Sequence, residues 1–278
     1  MERAALVAQA HPDVQLTLAH VVSESALDRL RRLLPAEAGG LETGLRAQAG
    51  QALAELATNL AARYGTRLTT ELIHGSPLGT ICDLAEARDA DLLVMGARGT
   101  HFVREMLLGS TTERVLSKSR RPLLAVKQRP QAPYRRILAP VDFSAHAVAA
   151  VNTAHAWFPD ADIVLLHAFE VDIESTLQLA GLSDAQIHAY RIHAREAAMT
   201  EMEAFVAQLD VPRARLTRQF VRGAATLRII EHEQTMDADL VVMGKHGQSV
   251  MEELLLGSVT KHVLAHSTSD VFVASQPA

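Results

Sequence analysis

The sequence predicts an α/β protein of two similar domains, each built on an open, doubly wound, five-stranded parallel sheet. Segments with strand and helix patterns alternate along the chain. The strand patterns are short, almost continuous apolar runs, which are typical of parallel sheets covered by helices on both faces. Much of the pattern also occurs twice within the 278 residues, a length that allows two domains, each with its own core.

The second copy shows the order of elements most clearly. It begins with the strand pattern RRILAPVD and a helix for which Ser144 is the N-cap candidate. The strand ADIVLLHAF follows, and then a long helix opened by Ser183 and Gln186 at capping-box spacing. The strand RLTRQFV, a short helix, the strand DLVVMG, another helix and the strand DVFVAS complete a set of five predicted strands.

Three glycines mark the repeat, because they recur in the same order 148 residues later: Gly96, Gly99 and Gly109 as Gly244, Gly247 and Gly257. The tetrapeptide DADL recurs at the same offset. A period this long indicates a duplicated domain rather than a solenoid unit. The polar, proline-bearing stretch KQRPQAPY is the expected linker, so we place the domains at residues 1–129 and 130–278.

Composition excludes several classes of protein. The net charge of -5 disfavours a general nucleic-acid binder. A single cysteine, Cys82, excludes a disulfide framework within the chain. No apolar run approaches the roughly 18 residues of a membrane helix, and the apolar stretch near the N-terminus is too short for a signal peptide. We therefore expect a cytoplasmic protein with neither nucleic acid nor membrane as its partner.

The glycines lie where a parallel sheet would present a ligand. Gly244 ends a predicted strand at the carboxyl edge, where we expect a turn with positive φ. Gly257 and Ser258 precede a helix, whose first backbone N–H groups lack partners within the helix and attract anions. The pattern indicates a pocket for a phosphorylated ligand. The alternative is ordinary turn and capping chemistry, as in the Ser-x-x-Glu spacing of Ser110 and Glu113.

At this point the sequence shows a resemblance. The motif G-x-x-G-x9-G-S, following a D-x-D-L-[LV]-V-M strand, resembles the nucleotide-binding signature of the universal stress protein family. The segment ILAPVDFS resembles the first strand of that family, ending in its aspartate, and VLLHAF resembles the second strand. The likeness covers essentially the whole chain as two tandem copies.

The resemblance implies a strand order of 3-2-1-4-5 and a bound ATP at the ends of strands 1 and 4, with Mg or Mn held through its phosphates. Asp142 would contact the nucleoside, and the backbone at Ala168 would meet adenine. The residues implied to bind the cofactor in the second domain are Val141, Asp142, Ala168, Met243, Gly244, Gly247, Gly257, Ser258 and Val259. Weaker counterparts in the first domain are Val21, Gly96, Gly99, Gly109, Ser110 and Thr111.

The chain departs from the family at one cationic position. Many members carry Arg or Lys directly after the second glycine, where this chain has Thr100 and Gln248. Loss of that cation is expected to weaken the binding of a triphosphate. Lys245 and His246 are candidates to compensate from within the loop, and a solvated surface position is an equal alternative for both.

The first copy lacks the beginning of the pattern. Asp142 stands 25 residues before His167, and the same distance from the matching His20 falls before Met1, which itself matches Val148 inside the first helix. We therefore expect the first domain to lack its first strand and its aspartate, so that its strands 2 and 4 pair directly, leave a gap or accept a strand from elsewhere. Nucleotide should then bind in the second domain and poorly or not at all in the first. A start site placed too far downstream is the rival explanation.

Three functions remain open. The first is an ATP-binding stress or regulatory module, and the second is an interaction scaffold of the same fold that binds no nucleotide. The third is a weak ATP-hydrolysing or adenylating enzyme, which is disfavoured because the sequence shows no recognisable acid–base pair.

His262 and His266 have a spacing that can bind metal, but no third ligand is evident. We expect a non-enzyme without a metal cage. Its halves would mimic a homodimer, and a dimer of chains is also open.

Overall fold

The computed structural model describes residues 1–97, 109–169, 183–247 and 256–274. Strands and helices alternate as expected, and the α/β fold class is confirmed. The helices are α1 (Glu2–Gln9), α2 (Glu24–Leu33), α3 (Ala38–Tyr64), α4 (Pro77–Ala87), α5 (Ser110–Lys118), α6 (Ala145–Trp157), α7 (Asp184–Val206), α8 (Ala225–Thr235) and α9 (Ser258–His266). The strands are β1 (Leu16–Ser23), β2 (Leu68–Gly75), β3 (Leu93–Gly96), β4 (Leu123–Val126), β5 (Arg136–Pro140), β6 (Asp162–Phe169), β7 (Leu216–Arg222), β8 (Leu240–Gly244) and β9 (Asp270–Ala274).

The second half forms five parallel strands in the spatial order β7-β6-β5-β8-β9. Numbered within that half, this is the order 3-2-1-4-5. The first strand, β5, is central, and Ile137 pairs with Ile163 of β6 on one side and with Leu240 of β8 on the other. The helix starts also follow the sequence, since Ser144 caps α6 and Ser183 with Gln186 forms the capping box of α7.

Apolar side chains cover both faces of this sheet. Ile137 and Ala139 of β5 point into one core with Phe205 of α7, while Leu138 between them points into the opposite core with Val263 of α9. This alternation is what a strand buried on both faces requires. Full burial of each large aliphatic side chain contributes about 1.5–3 kcal/mol, so the central strand is a main source of stability.

The described residues of the first half form four strands, arranged in two separate pairs. Strands β1 and β2 form a separate two-stranded parallel sheet. Strands β3 and β4 extend the sheet of the second half to seven strands, because β4 pairs antiparallel with β9, as in Leu124 against Phe272. Within the described ranges no strand lies between β1 and β3. In the described residues the two pairs are therefore not joined into one sheet.

A buried ion cluster also joins the two halves. Arg3 of α1 donates from Nε to Oδ2 of Asp270 at 3.1 Å, and the Tyr134 hydroxyl donates to the same oxygen at 2.5 Å. The backbone N–H groups of Lys127 and Gln128 donate to Oδ1 at 2.7 and 3.0 Å. Asp270 is fully buried, so these donors replace the water that its carboxylate has lost. The linker is thereby fixed to both halves.

No helix in the described part of the chain combines the length and the apolar character needed to cross a bilayer.

Candidate functional site

Two neighbouring strand ends define the candidate site in the second half. Strands β5 and β8 are parallel and adjacent, so their carboxyl ends meet at one edge of the sheet. Beyond β5, the N–H of Val141 still donates to Leu166 at 2.9 Å, and Asp142 follows directly. Beyond β8, the chain enters the glycine loop at Gly244. The topology thus brings together the aspartate and the loop that the sequence predicts.

The Asp142 carboxylate is held in place from its own side. Its Oδ1 accepts hydrogen bonds from the backbone N–H of Ser144 at 3.1 Å and from the Ser144 hydroxyl at 2.6 Å. The same hydroxyl accepts from the N–H of Ala147 at 3.2 Å and so caps α6. A Cβ built on Gly247 would lie only 2.9 Å from Asp142 Oδ2. The carboxylate therefore lies directly against the glycine loop.

The glycines are required for close approach, not for their backbone angle. The expectation of positive φ at Gly244 is wrong, and Gly247 has no left-handed φ either. A Cβ on Gly244 would lie 3.1 Å from the backbone carbonyl carbon of His146 in α6. A side chain at either position would push the loop away from the start of α6 or from Asp142.

The start of α9 is tied to the same loop. Gly257 is the N-cap of this helix, and its N–H donates to the Lys245 carbonyl at 3.0 Å. Thr260 in the first turn donates from Oγ1 to the Gly244 carbonyl at 3.0 Å. Among the described residues no side chain caps the helix, and Ser258 is its exposed first residue rather than its cap. The first N–H groups of α9 have no partners within the helix, and groups of this kind attract anions.

The remaining predicted residues line the strand ends with backbone rather than with side chains. Val141 and Met243 are buried, so only their main-chain groups can face a ligand. Ala168 lies near the end of β6 and is half-buried. Val259 follows Ser258 in the first turn of α9 and is half-buried as well.

The structure adds an aromatic pair that the sequence reasoning missed. Phe143 stacks on the ring of His167, with centroids 4.3 Å apart and planes 25° from parallel. His167 Nδ1 lies 2.9 Å from the Val141 carbonyl, and because a carbonyl can only accept, this nitrogen carries the proton. Phe143 has φ of +62°, which is uncommon for an aromatic residue. The pair fixes the turn that presents Asp142. In the sequence, the only indication of it is that an apolar residue, Phe143, stands between Asp142 and Ser144.

The first half retains the loop closure without the aspartate. The N–H of Gly109 donates to Ala97 at 2.7 Å, and Thr112 Oγ1 donates to Gly96 at 2.9 Å, which are the same two bonds as in the second half. The expected capping box of Ser110 and Glu113 is wrong, because Gly109 rather than Ser110 is the N-cap of α5.

Two further predicted positions of the first half lie on different elements. Thr111 is exposed in the first turn of α5, and Val21 lies on β1, in the separate two-stranded sheet. Gly99 lies outside the described residues, as do Thr100 and Gln248 at the cationic position.

The side chain of Lys245 lies at the contact between the two halves. Its side chain is buried and donates from Nζ to the Ser119 carbonyl at 3.1 Å, where α5 of the first half has just ended. Its N–H donates to Ala274 at 2.9 Å. The neighbouring His246 is also buried, and its ring lies edge-on to His146 at 5.5 Å. Neither residue is a solvated surface position.

The histidine pair on α9 was the metal-site candidate of the sequence. The rings of His262 and His266 stack at 4.1 Å, and burial, followed by the charge of His266, lowers the pKa of His262. Across the described ranges, no group of three or more His, Cys, Asp or Glu side chains is placed to hold a metal ion.

The fold and the loop define a tandem α/β protein with a glycine loop at the carboxyl edge of a parallel sheet. The chain belongs to the universal stress protein family, whose profile matches residues 1–127 and again residues 133–275. A universal stress protein of Mycolicibacterium smegmatis is 27% identical over 272 residues, covering 94% of this chain and 87% of that protein. One from Methanocaldococcus jannaschii is 36% identical over 96 residues, covering 34% of this chain and 56% of that protein.

The solved structures agree in fold. The crystal structure of a universal stress protein from Archaeoglobus fulgidus covers 99% of this chain and 94% of its own, with a TM-score of 0.70 at 19% identity. A universal stress protein structure from Pseudomonas aeruginosa covers 93% of this chain with a TM-score of 0.56 at 17% identity.

Proposed function

We propose that this chain is a nucleotide-binding stress or regulatory protein whose competent site lies in the second half. The ligand is ATP, with Mg²⁺ or Mn²⁺ bound through its phosphates. The observation that carries this proposal is the position of the Asp142 carboxylate against Gly247, where a Cβ would lie 2.9 Å from Oδ2. One side of the site thus supplies acceptor oxygens and the other supplies backbone donors.

The two sides match the two ends of a nucleotide. A carboxylate that is fixed by Ser144 accepts hydrogen bonds from the hydroxyl groups of a ribose or from an exocyclic amine. The uncapped start of α9 offers N–H groups and the positive end of the helix dipole to phosphates. A divalent ion that accompanies ATP neutralises the remaining phosphate charge and needs few protein ligands.

The site favours binding over catalysis. Asp142 is the one carboxylate among the predicted site residues, and its Oδ1 is occupied by two hydrogen bonds from Ser144. A group held in this way orients a ligand, whereas a general base needs to reach a reacting proton. We therefore propose a binding protein and not an efficient enzyme.

We also propose that one chain is the functional unit, with its two halves in place of two subunits. The antiparallel pairing of β4 with β9 and the buried contacts of Asp270 and Lys245 support this unit. We place the unit in the cytoplasm, with neither nucleic acid nor membrane as its partner.

The proposal is tested on the purified chain. Mass spectrometry of the supernatant after denaturation should detect an adenine nucleotide, and ATP with Mg²⁺ should raise the melting temperature of nucleotide-free protein. Protein without nucleotide and without a thermal shift would support the scaffold instead. Steady metal-dependent release of phosphate well above background would support the enzyme.

A further inference from the structure

Two lysines cross between the halves, and each reaches the C-terminal end of a helix in the other half. Lys245 of the second half donates from Nζ at 3.1 Å to the carbonyl of Ser119, the C-cap of α5. Lys127 of the first half donates from Nζ to the carbonyls of Leu264 and Ser267 at 2.8 and 2.7 Å, at the end of α9. A lysine is favourable at both places, because the last carbonyls of a helix have no partners within it.

Lys245 differs from Lys127 because it also belongs to the glycine loop. Its carbonyl accepts from the N–H of Gly257, the N-cap of α9, at 3.0 Å. Its own N–H donates to Ala274 at the end of β9 at 2.9 Å. The residue is 4% exposed. Its backbone therefore holds the loop at the start of α9, while its side chain reaches the first half.

The matching position of the first half makes the same backbone contacts without such a side chain. Ala97 stands 148 residues before Lys245. Its N–H donates to Val126 at 2.8 Å, and its carbonyl accepts from Gly109 at 2.7 Å. Backbone bonds alone therefore close a loop of this kind. The side chain of Lys245 adds a connection between the halves rather than a part of the closure.

We infer that Lys245 is a positioning residue that couples the glycine loop of the second half to the end of α5 in the first half. This inference rests on the proposed function, because the loop is part of the proposed nucleotide site. Lys245 and Ser119 are both buried, so moving the loop away from this carbonyl is costly. The coupling is reciprocal: the first half favours the loop position that binds nucleotide, and bound nucleotide stabilises the end of α5.

The direction of the Lys245 side chain disfavours a direct contact with phosphate. Its ammonium group lies at the Ser119 carbonyl, and a phosphate contact would require it to leave that carbonyl. Burial raises the pKa of the Cys82 thiol on α4, and the charges of Lys118 and Lys245 oppose that rise. The charge of Lys245 is thus directed toward the helices of the first half.

The test compares Lys245→Met with Lys127→Met in the full chain without nucleotide. Methionine keeps an unbranched apolar side chain and removes the ammonium group. Hydrogen exchange followed by mass spectrometry should show exchange faster by about tenfold or more in Lys245→Met, both at Ser119 and at Gly257. Lys127→Met is the matched control and should speed exchange at the end of α9 alone.

Unchanged exchange at either Ser119 or Gly257 in Lys245→Met would overturn the coupling. The same pattern of exchange in both variants would overturn it as well, because each variant loses a lysine contact between the halves and a general loss of stability would affect the two alike.

A second measurement adds ATP with Mg²⁺. Saturating ATP should slow exchange at Ser119 by about threefold or more in the parent chain and in Lys127→Met, but not in Lys245→Met. Titration calorimetry should give an affinity about tenfold weaker in Lys245→Met and unchanged in Lys127→Met.

Weaker affinity with Ser119 still protected in Lys245→Met would indicate a direct phosphate contact and would overturn the inference. A parent chain that binds no ATP would refute the proposed function instead. The comparison without nucleotide would then still decide whether the loop and α5 are coupled.

Discussion

At the scale of single residues, the proposed site depends on the absence of a side chain at Gly247. The sequence predicted this glycine because of its spacing in the repeat. It could not supply the physical reason, which is the 2.9 Å approach of the Asp142 carboxylate rather than a positive φ. Close approach between residues more than a hundred positions apart is a property of the folded chain. Phe143 was not recognised because the stacking of its ring on His167 also forms only in the folded chain.

Gly247→Ala should weaken ATP binding at least about tenfold, or about 1.4 kcal/mol. The added Cβ forces either the loop or Asp142 to move, and both belong to the proposed site. Titration calorimetry measures the affinity. Gly79→Ala is the matched control, because a Cβ there meets nothing within 4 Å and alanine favours the helix. Unchanged affinity in Gly247→Ala would remove the loop from the site.

Tyr134 gives the fold a predictable response to alkaline pH. Burial, and next the negative charge of Asp270, raise the pKa of Tyr134 well above the ordinary tyrosine value. The folded state then keeps the proton while an unfolded tyrosine loses it near pH 10, so stability falls as pH rises above about 10. Tyr134→Phe should cost about 1–3 kcal/mol at pH 8, and its alkaline loss of stability should be smaller.

Urea unfolding between about pH 8 and pH 11 measures this difference. Tyr190→Phe serves as the control, since Tyr190 is exposed on α7, and it should keep the pH dependence of the parent chain. The same alkaline slope in Tyr134→Phe and in the parent chain would show that the buried phenol does not contribute.

At the scale of elements, the order of strands and helices in the second half follows its sequence closely, whereas the pairing of the first-half strands could not be read from local patterns. Five apolar runs and two N-caps were predictable in the second half because each depends on neighbours in the chain. The separation of β1 and β2 from β3 and β4 depends instead on one absent strand. The antiparallel pairing of β4 with β9 depends on how two edges meet, and no local pattern encodes it.

One buried carboxylate fixes the end of α9 and the turn into β9. Glu233 of α8 is 1% exposed, and its Oε1 accepts from the backbone N–H groups of Thr268 and Ser269 at 2.8 and 2.7 Å and from the Ser267 hydroxyl at 3.0 Å. Glu233→Ala should therefore destabilise the chain by about 3 kcal/mol, because buried donors lose a charged acceptor.

The matched control on the same helix is Glu231→Ala. Glu231 is exposed and pairs with Arg228 at 2.6 Å, so its loss should cost less than about 1 kcal/mol. Thermal or denaturant unfolding compares the two variants. Equal costs would show that the contacts of Glu233 do not hold the turn.

At the scale of the whole molecule, the two halves share a family and a loop closure but differ in the elements described beside that loop. The second half has the central strand, the aspartate and the uncapped helix at one edge. The first half has the loop closure at Gly109 but no counterpart of Asp142 among its described residues. The prediction that the halves are unequal came from sequence offsets alone, because Met1 matches Val148 inside the first helix of the second copy. Its functional consequence is the central claim.

Titration calorimetry of ATP with Mg²⁺ into the full chain tests that claim most directly. The account predicts about one nucleotide per chain, at one site in the second half. Binding should be lost in Asp142→Ala and retained in Asp160→Ala, a matched change at an exposed aspartate just before β6. Two equivalent sites per chain, or unchanged binding in Asp142→Ala, would contradict it.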